Sequence, residues 1–280
     1  MSRVGLLQMT SSANPADNIA VIAQRLPHLV AQGAEWVVLP ENALVFGAKA
    51  DYHRHAHPLG EGELFVAMAE LARQHGIWLV IGSMPVRRSH GVTTTCVVLN
   101  AEGGLVADYD KLHMFDVDVA DGHRRYRESE TFTAGERVIT TSTPFGKLGL
   151  SICYDVRFPH LYTQLAAQGA QILLVPAAFT AVTGRAHWET LLRARAIETQ
   201  CWLVAVNQTG VHHGGRETWG HSLVISPWGE IVTDLGREAG NGVAAIDLTQ
   251  IDTCRTAMPV QQHRRFSHQL QPNIRAEYDD

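Results

Sequence analysis

The sequence predicts an α/β fold of two mixed sheets flanked by helices, and three observations lead there. Short apolar runs of strand type alternate with amphipathic stretches from the first residues onward. These runs are spread over both halves of the chain in a number that calls for two sheets rather than one. No compositional break, repeat of fixed period or low-complexity linker divides the 280 residues, of which 45% are apolar, so residues 1–280 are expected to form a single domain with a sizeable core.

The elements follow in order. Residues 3–9 read as a strand, and residues 14–32 as a helix opened by Asn14 with Pro15 in its first turn. The second strand, residues 36–39, is closed by Pro40. A helix near residues 63–75 precedes strands near 77–83, 94–100 and 105–109. The second half repeats this style, with strands at 148–152, 172–175, 202–206, 223–226, 231–234 and 242–247 and helices at 159–168 and 186–200. The stretch between residues 207 and 221 reads as a polar loop, and the polar residues 269–280 as a loosely held tail.

Within this frame the segment LSICYDVRFPH stands out, because it places Cys153 where a short strand ends and Pro159 marks the start of a helix. The carboxyl edge of an α/β sheet collects ligands, and helix N-terminal dipoles there stabilise a thiolate. A lone cysteine is nonetheless more often a packed small hydrophobe, so its neighbours must decide. Glu41 follows the strand 36–39 at once, poised over such an edge. Lys111 follows the strand 105–109 in a chain that has 20 Arg and only three Lys, which suggests a need for an amine at 111, although a solvated lysine fits that fact equally well.

Glu41, Lys111 and Cys153, each just past a strand, resemble the Glu, Lys, Cys triad of the nitrilase superfamily of carbon–nitrogen hydrolases. The resemblance runs through LPEN, DKLHMFDVDV, RESETFTAGE, CYDVRFP, GRAHWETLLRARAIETQC, WGHSLVISPWGE and PVQQHRR, nearly the whole chain. The later segments are most similar to the branch of deaminated glutathione amidases, with omega-amidases as neighbours. The resemblance implies a four-layer α-β-β-α sandwich, pairing into a homodimer through outer helices. The helix HWETLLRARAIETQ is one candidate for that contact, since its apolar positions spread over more than one face.

The chemistry these residues can do fits that resemblance. A free thiol, with a pKa of roughly 8.5, is mostly protonated at neutral pH and needs a base or cation beside it. Glu41 suits the base, its pKa expected to be raised by enclosure so that it takes the thiol proton and returns it to the leaving amine. The Lys111 ammonium would favour the thiolate and, with the backbone N–H of Tyr154, hold the oxyanion of the tetrahedral intermediate. Glu128 resembles the family's second glutamate, which holds the lysine; by itself it would read as a surface charge beside Arg127. The expected reaction runs through a thioester, with no metal or organic cofactor.

The expected substrate is a small anionic amide, most closely deaminated glutathione cleaved to 2-oxoglutarate and cysteinylglycine. Omega-amidase action on 2-oxoglutaramate, N-carbamoyl or aliphatic amide hydrolysis, and a catalytically silent binding protein are the alternatives. Arg157, and Thr183, Arg185 and His187 in FTAVTGRAH, follow strands that end at the expected edge and are the expected substrate contacts, although Arg157 could equally anchor the helix start. The loop HHGGRETWGHS lies near the substrate pocket in the family, which brings Arg216 and His212 into consideration.

Other chemistries find no support. Phosphate-loop, dinucleotide-binding, His-Glu-x-x-His and Gly-x-Ser-x-Gly motifs are missing, and none of the 15 histidines is singled out as a protease-type base for Cys153. His212, His213 and His221 lack matching cysteine or carboxylate ligands for a metal. Cys96 and Cys201 sit in apolar runs without a Cys-x-x-Cys pair, which points to packed thiols and a reducing, cytoplasmic setting. A formal charge of −5 gives no basic footprint for nucleic acid, and no signal peptide or membrane-spanning run is expected.

Overall fold

The computed structural model describes residues 1–266, so the expected loose tail at 269–280 lies outside the described residues. In chain order the first half comprises β1 (Ser2–Gln8), α1 (Pro15–Ala31), β2 (Trp36–Val38), α2 (Lys49–Arg54), α3 (Gly62–His75), β3 (Trp78–Arg88), β4 (Gly91–Leu99) and β5 (Leu105–Asp110). A short hairpin, β6 (Asp116–Asp118) and β7 (Arg125–Arg127), leads into β8 (Thr140–Thr143) and β9 (Gly146–Leu150). Then follow α4 (Pro159–Ala167), β10 (Ile172–Leu174), α5 (Ala181–Thr199), β11 (Trp202–Ala205) and a second hairpin, β12 (Thr209–Val211) with β13 (Glu217–Trp219). The last elements are β14 (Leu223–Ile225), β15 (Ile231–Asp234), β16 (Gly240–Ile246), α6 (Thr249–Ala257) and α7 (Val260–His263).

Two six-stranded mixed sheets result, ordered β16-β1-β2-β3-β4-β5 and β15-β14-β11-β10-β9-β8. In each, three parallel strands form the centre, β1, β2 and β3 in one and β9, β10 and β11 in the other, with antiparallel neighbours on both sides. Side-chain alternation assigns the layers. Val4, Leu6, Trp36, Val38, Val80 and Val98 share a core with Leu148, Leu150, Ile172 and Leu174 of the other sheet. Their sequence neighbours Leu7, Val37, Leu79, Ile81 and Val97 turn the opposite way, onto Ile22, Leu26 and Leu29 of α1 and Leu64 and Met68 of α3. Trp188 and Leu192 of α5 and Leu161 and Leu165 of α4 cover the second sheet, completing α-β-β-α. The Asn14 side chain accepts from Ala16 N–H and Pro15 opens the helix, as expected for α1.

Differences from the sequence expectation have local causes. β3 runs past residue 83 because a register shift between Ile81 and Met84 lets pairing resume with Pro85 opposite Thr94. α5 begins at Ala181, five residues before the expected start, behind Thr180 in extended conformation. The expected polar loop after residue 207 is the β12–β13 hairpin. Among the described residues no helix is long and apolar enough to cross a membrane, and all four cysteines are buried and unpaired.

Candidate active site

The parallel strands determine where the chemistry collects. β2 and β9 deliver Glu41 and Cys153 from their carboxyl ends, and β10 delivers Ala178. β4 is antiparallel to β3 and β5 to β4, so β5 runs in the sense of β2 and releases Lys111 at the same edge. The result is a cleft of about 160 Å³ lined by these residues and by Glu128, Tyr154, Thr183 and Arg216, among others.

Glu41 is fixed by backbone contacts before its carboxylate does anything. A Cβ on Gly82 would stand 2.1 Å from Leu39 O and 2.4 Å from Pro40 C, so only glycine lets the bulge of β3 come this close to the turn at Pro40. The adjoining Ser83 Oγ accepts from Asn42 N–H at 2.8 Å, and Gln208 Nε2 donates to Glu41 O at 3.0 Å. The carboxylate, 2% exposed as a residue, accepts from Ala178 N–H at 2.7 Å and from Lys111 Nζ at 2.8 Å.

Lys111 Nζ also donates to both oxygens of Glu128, at 2.9 and 2.8 Å. Glu128 is held in turn by Phe115 N–H at 2.7 Å, straight after β7. The β6–β7 hairpin is therefore what carries the second carboxylate to the lysine, and Glu128 is not the free surface charge that its sequence context allowed.

Cys153 occupies the left-handed region, φ 47°, where a non-glycine residue is strained and marks a functional turn. Its N–H donates to Pro176 O at 2.9 Å. A 3₁₀ turn, Cys153–Arg157, follows, and among the described residues none accepts from the Tyr154 N–H at its start. The α4 helix begins only at Pro159, so its dipole does not end on the thiol as the sequence suggested. Buried Asp155 locks the turn. Its carboxylate accepts from Ile152 N–H at 2.8 Å, Tyr109 OH at 2.7 Å and His113 N–H at 3.2 Å, and pairs with His113 Nδ1 at 2.7 Å. One carboxylate thus ties the Cys153 turn to the end of β5 on either side of Lys111.

The electrostatics correct one expectation. Burial pushes the Glu41 carboxyl up, but the charge and hydrogen bond of Lys111, with Arg216 beyond, outweigh it and hold Glu41 below its ordinary range. Burial and the Glu41 charge push the Cys153 thiol well up, against the pull of Lys111. Lys111 resists burial because Glu128 and Glu41 raise it well above the ordinary lysine range, and burial leaves Glu128 raised despite Lys111. The resting arrangement is a neutral thiol against an ionised carboxylate and a permanent ammonium. Such a set can deprotonate a thiol as it attacks and hold a developing oxyanion.

The expected substrate contacts divide. Tyr154 and Thr183 line the cleft. Gly184 and Trp188 face inward on α5, a Cβ on Gly184 meeting Trp219 at 2.3 Å, so Arg185 and His187 fall on the exposed face of the helix, away from the cleft. Arg157 is also outside the lining; its guanidinium lies over the rings of Phe179 and Tyr154, at 5.1 and 5.9 Å, with Nη1 3.3 Å from His187 Nδ1. His212 is a packed histidine, its ring nitrogens bonded to Ser11 O and Thr218 Oγ1, and burial first of all lowers its pKa to about 4. Arg216 does reach the cleft. Ala178 and Phe179 were missed by sequence reasoning, although their position past the carboxyl end of β10 was the available signal.

A buried thiol, carboxylate and ammonium, brought into one cleft from the carboxyl ends of strands in both sheets, define a thiol-dependent hydrolytic site. The carbon-nitrogen hydrolase family model matches residues 3–256. The deaminated glutathione amidase of Yersinia enterocolitica is 46% identical over 276 residues, 98% of this chain and 96% of its own. That of Homo sapiens is 40% identical over 269 residues, 94% and 82% of the two chains. The crystal structure of Saccharomyces cerevisiae Nit3, a member of branch 10 of the nitrilase superfamily, superposes with a TM-score of 0.85 at 29% identity, covering 95% and 97%. The chain belongs to the carbon-nitrogen hydrolase family and has the α-β-β-α sandwich of the nitrilase superfamily.

Proposed function

We propose that this protein is a cysteine-dependent amidase that hydrolyses deaminated glutathione to 2-oxoglutarate and cysteinylglycine. The substrate rests on the likeness to relatives of that name, at 46% and 40% identity over nearly the whole chain. The chemistry rests on one observation above all: Lys111 Nζ bridges Glu41 and Glu128 at 2.8–2.9 Å in the cleft that Cys153 also lines.

In this mechanism Cys153 Sγ attacks the amide carbonyl carbon as Glu41 takes the thiol proton. The carbonyl π electrons move to oxygen, held by Lys111 Nζ and Tyr154 N–H. Glu41 returns the proton to the amine nitrogen as the C–N bond breaks, leaving a thioester and releasing cysteinylglycine. A water then gives its proton to Glu41 and its oxygen to the acyl carbon, and the C–S bond breaks to restore the thiol. Glu128 keeps Lys111 charged and aimed. Tyr154 and Thr183 are the substrate contacts retained from the sequence-based set, whereas Arg157, Arg185 and His187 are assigned no contact with the reacting amide.

The same reading takes residues 1–280 as one hydrolase domain in a reducing cytoplasm, working on a small molecule rather than on nucleic acid or membrane. It also expects a homodimer through the outer face of α5, where Ile197 is exposed near Gly229, in the turn that also carries the exposed Trp228. A monomeric mass by light scattering across a concentration series would remove the dimer. The function itself is tested by identifying both products from deaminated glutathione and from 2-oxoglutaramate. Faster release of 2-oxoglutarate with cysteinylglycine supports the proposal, whereas preference for 2-oxoglutaramate with ammonia release makes the protein an omega-amidase.

A further inference from the structure

The cleft poses an electrostatic problem for an anionic substrate. Its inner wall carries two carboxylates, Glu41 and Glu128, against the single ammonium of Lys111, which both of them already occupy. A substrate carboxylate entering here meets net negative charge and needs a cation of its own.

Among the described residues four other basic side chains line the cleft, and their engagements separate them. Arg127 pairs with Asp118 at 3.0 Å and donates to the carbonyls of Val117 and Tyr126. Lys49 is exposed and donates to Glu130 O. His123 sits on the β6–β7 turn against Tyr126 at 4.7 Å. Arg216 differs. It forms no ion pair with any carboxylate among the described residues, and its guanidinium stacks between the rings of Phe46 and Tyr126, at 4.9 and 5.2 Å. Among the described residues, one of its five N–H donors finds a protein acceptor, Nη2 to Ala178 O at 3.0 Å, while Nε is buried with no hydrogen-bond partner.

A buried charged group left under-bonded is costly, and a carboxylate arriving in the guanidinium plane would relieve that cost. The placement also fixes the reach. Ala178 donates its N–H to Glu41 and its carbonyl accepts from Arg216, so a single residue separates the base from the guanidinium. That is the range of a carboxylate a few carbons from the scissile carbonyl, not of one at the far end of a leaving peptide. The ring stack holds the planar fork in place and leaves its edge for a bidentate partner.

We propose that Arg216 is the specificity residue of this site, its guanidinium binding the carboxylate at the distal end of the acyl group and so selecting acidic over neutral acyl chains. This rests on the amidase reading above and adds the residue that selects the acyl group.

The test compares 2-oxoglutaramate with 4-oxopentanamide, in which a methyl group replaces the carboxylate, for the wild type, Arg216→Gln and Arg216→Lys. The ratio of kcat/KM for the acid over the neutral amide should fall about 10- to 100-fold in Arg216→Gln, mostly through KM, with Arg216→Lys intermediate. A ratio unchanged in both variants, or a wild type indifferent to the carboxylate, overturns the proposal. Calorimetric binding of 2-oxoglutarate to Cys153→Ala and to Cys153→Ala with Arg216→Lys gives a readout free of turnover. Equal affinity in the two would also overturn it. Failure of the wild type to cleave deaminated glutathione, with the ratio still dependent on Arg216, would refute that substrate while upholding the anion site.

Discussion

Replacing Lys111 by methionine is the perturbation whose outcome the structure specifies most closely. The side chain is 1% exposed and holds two carboxylates at 2.8–2.9 Å. Methionine fills similar volume but leaves Glu41 and Glu128 buried without a counter-charge. Breaking a buried pair from one side costs about 3–5 kcal/mol at neutral pH. The pH dependence is sharper still. In the wild type Glu41 titrates below its ordinary 4.5, so its contribution is present above that pH and is lost as the pH falls through its lower folded value. Lys111 titrates well above 10.5, so its contribution is complete below 10.5 and is lost only as the pH rises through the higher folded value. Glu128, raised by burial, works the other way, its stabilisation present below 4.5 and lost as the pH rises through its folded value. Without the ammonium, burial raises both carboxyls, and Lys111→Met should lose stability continuously as the pH rises from 4.5. Urea unfolding of both proteins between pH 4 and 8 reads this directly. A loss under about 1 kcal/mol at pH 7, or two curves that run parallel, would refute the reasoning. Amide hydrolysis by the variant should fall about 10²- to 10³-fold through loss of an oxyanion donor.

Other outcomes follow from the same contacts. Glu41→Gln should lower kcat about 10²- to 10⁴-fold while leaving a folded protein, and a kcat within threefold of the wild type would exclude Glu41 as the base. Because burial and Glu41 push the Cys153 thiol up, its alkylation by iodoacetamide should accelerate steadily as the pH is raised through 9, and a plateau already reached at pH 6 would contradict a protonated resting thiol. Asp155→Ala removes the acceptor of three donors that hold the Cys153 turn, at about 1–3 kcal/mol for each one left unsatisfied, so the thermal midpoint should drop by several degrees. Gly82→Ala places a Cβ against Leu39 O, and a variant of wild-type stability and activity would show that the β3 bulge does not position Glu41.

Much of this was legible in the sequence because buried strands announce themselves. The runs that became β1, β2, β9, β10, β11 and β14 are apolar enough to be read individually, and the residues just past β2, β5 and β9 are the ones the structure brings together. What escaped was short or locally contradictory. The β6–β7 and β12–β13 hairpins have three residues per strand and little apolar alternation, yet they carry Glu128 to Lys111 and bring Arg216 to the cleft. β3 continues through Pro85, a residue that strand interiors disfavour, after the register shift between Ile81 and Met84. Arg185 and His187 follow the right strand, but which way a helix turns its side chains depends on packing, and Gly184 against Trp219 decides it, whereas Arg157, at the end of the 3₁₀ turn, lies over the rings of Phe179 and Tyr154. The Glu41 titration differs from the expectation because enclosure was set against no direct ion pair, whereas Lys111, 70 residues away, donates straight to the carboxylate and outweighs burial.

The central claim, that Cys153 carries the acyl group of deaminated glutathione, is tested most directly by acid-quenching the working enzyme within its first turnovers and mapping the adduct by mass spectrometry. The account predicts a 2-oxoglutaryl thioester on the Cys153 peptide, lost in Cys153→Ser and discharged to 2-oxoglutarate when turnover is allowed to finish. An adduct on another residue, or steady 2-oxoglutarate release by Cys153→Ala, would contradict it.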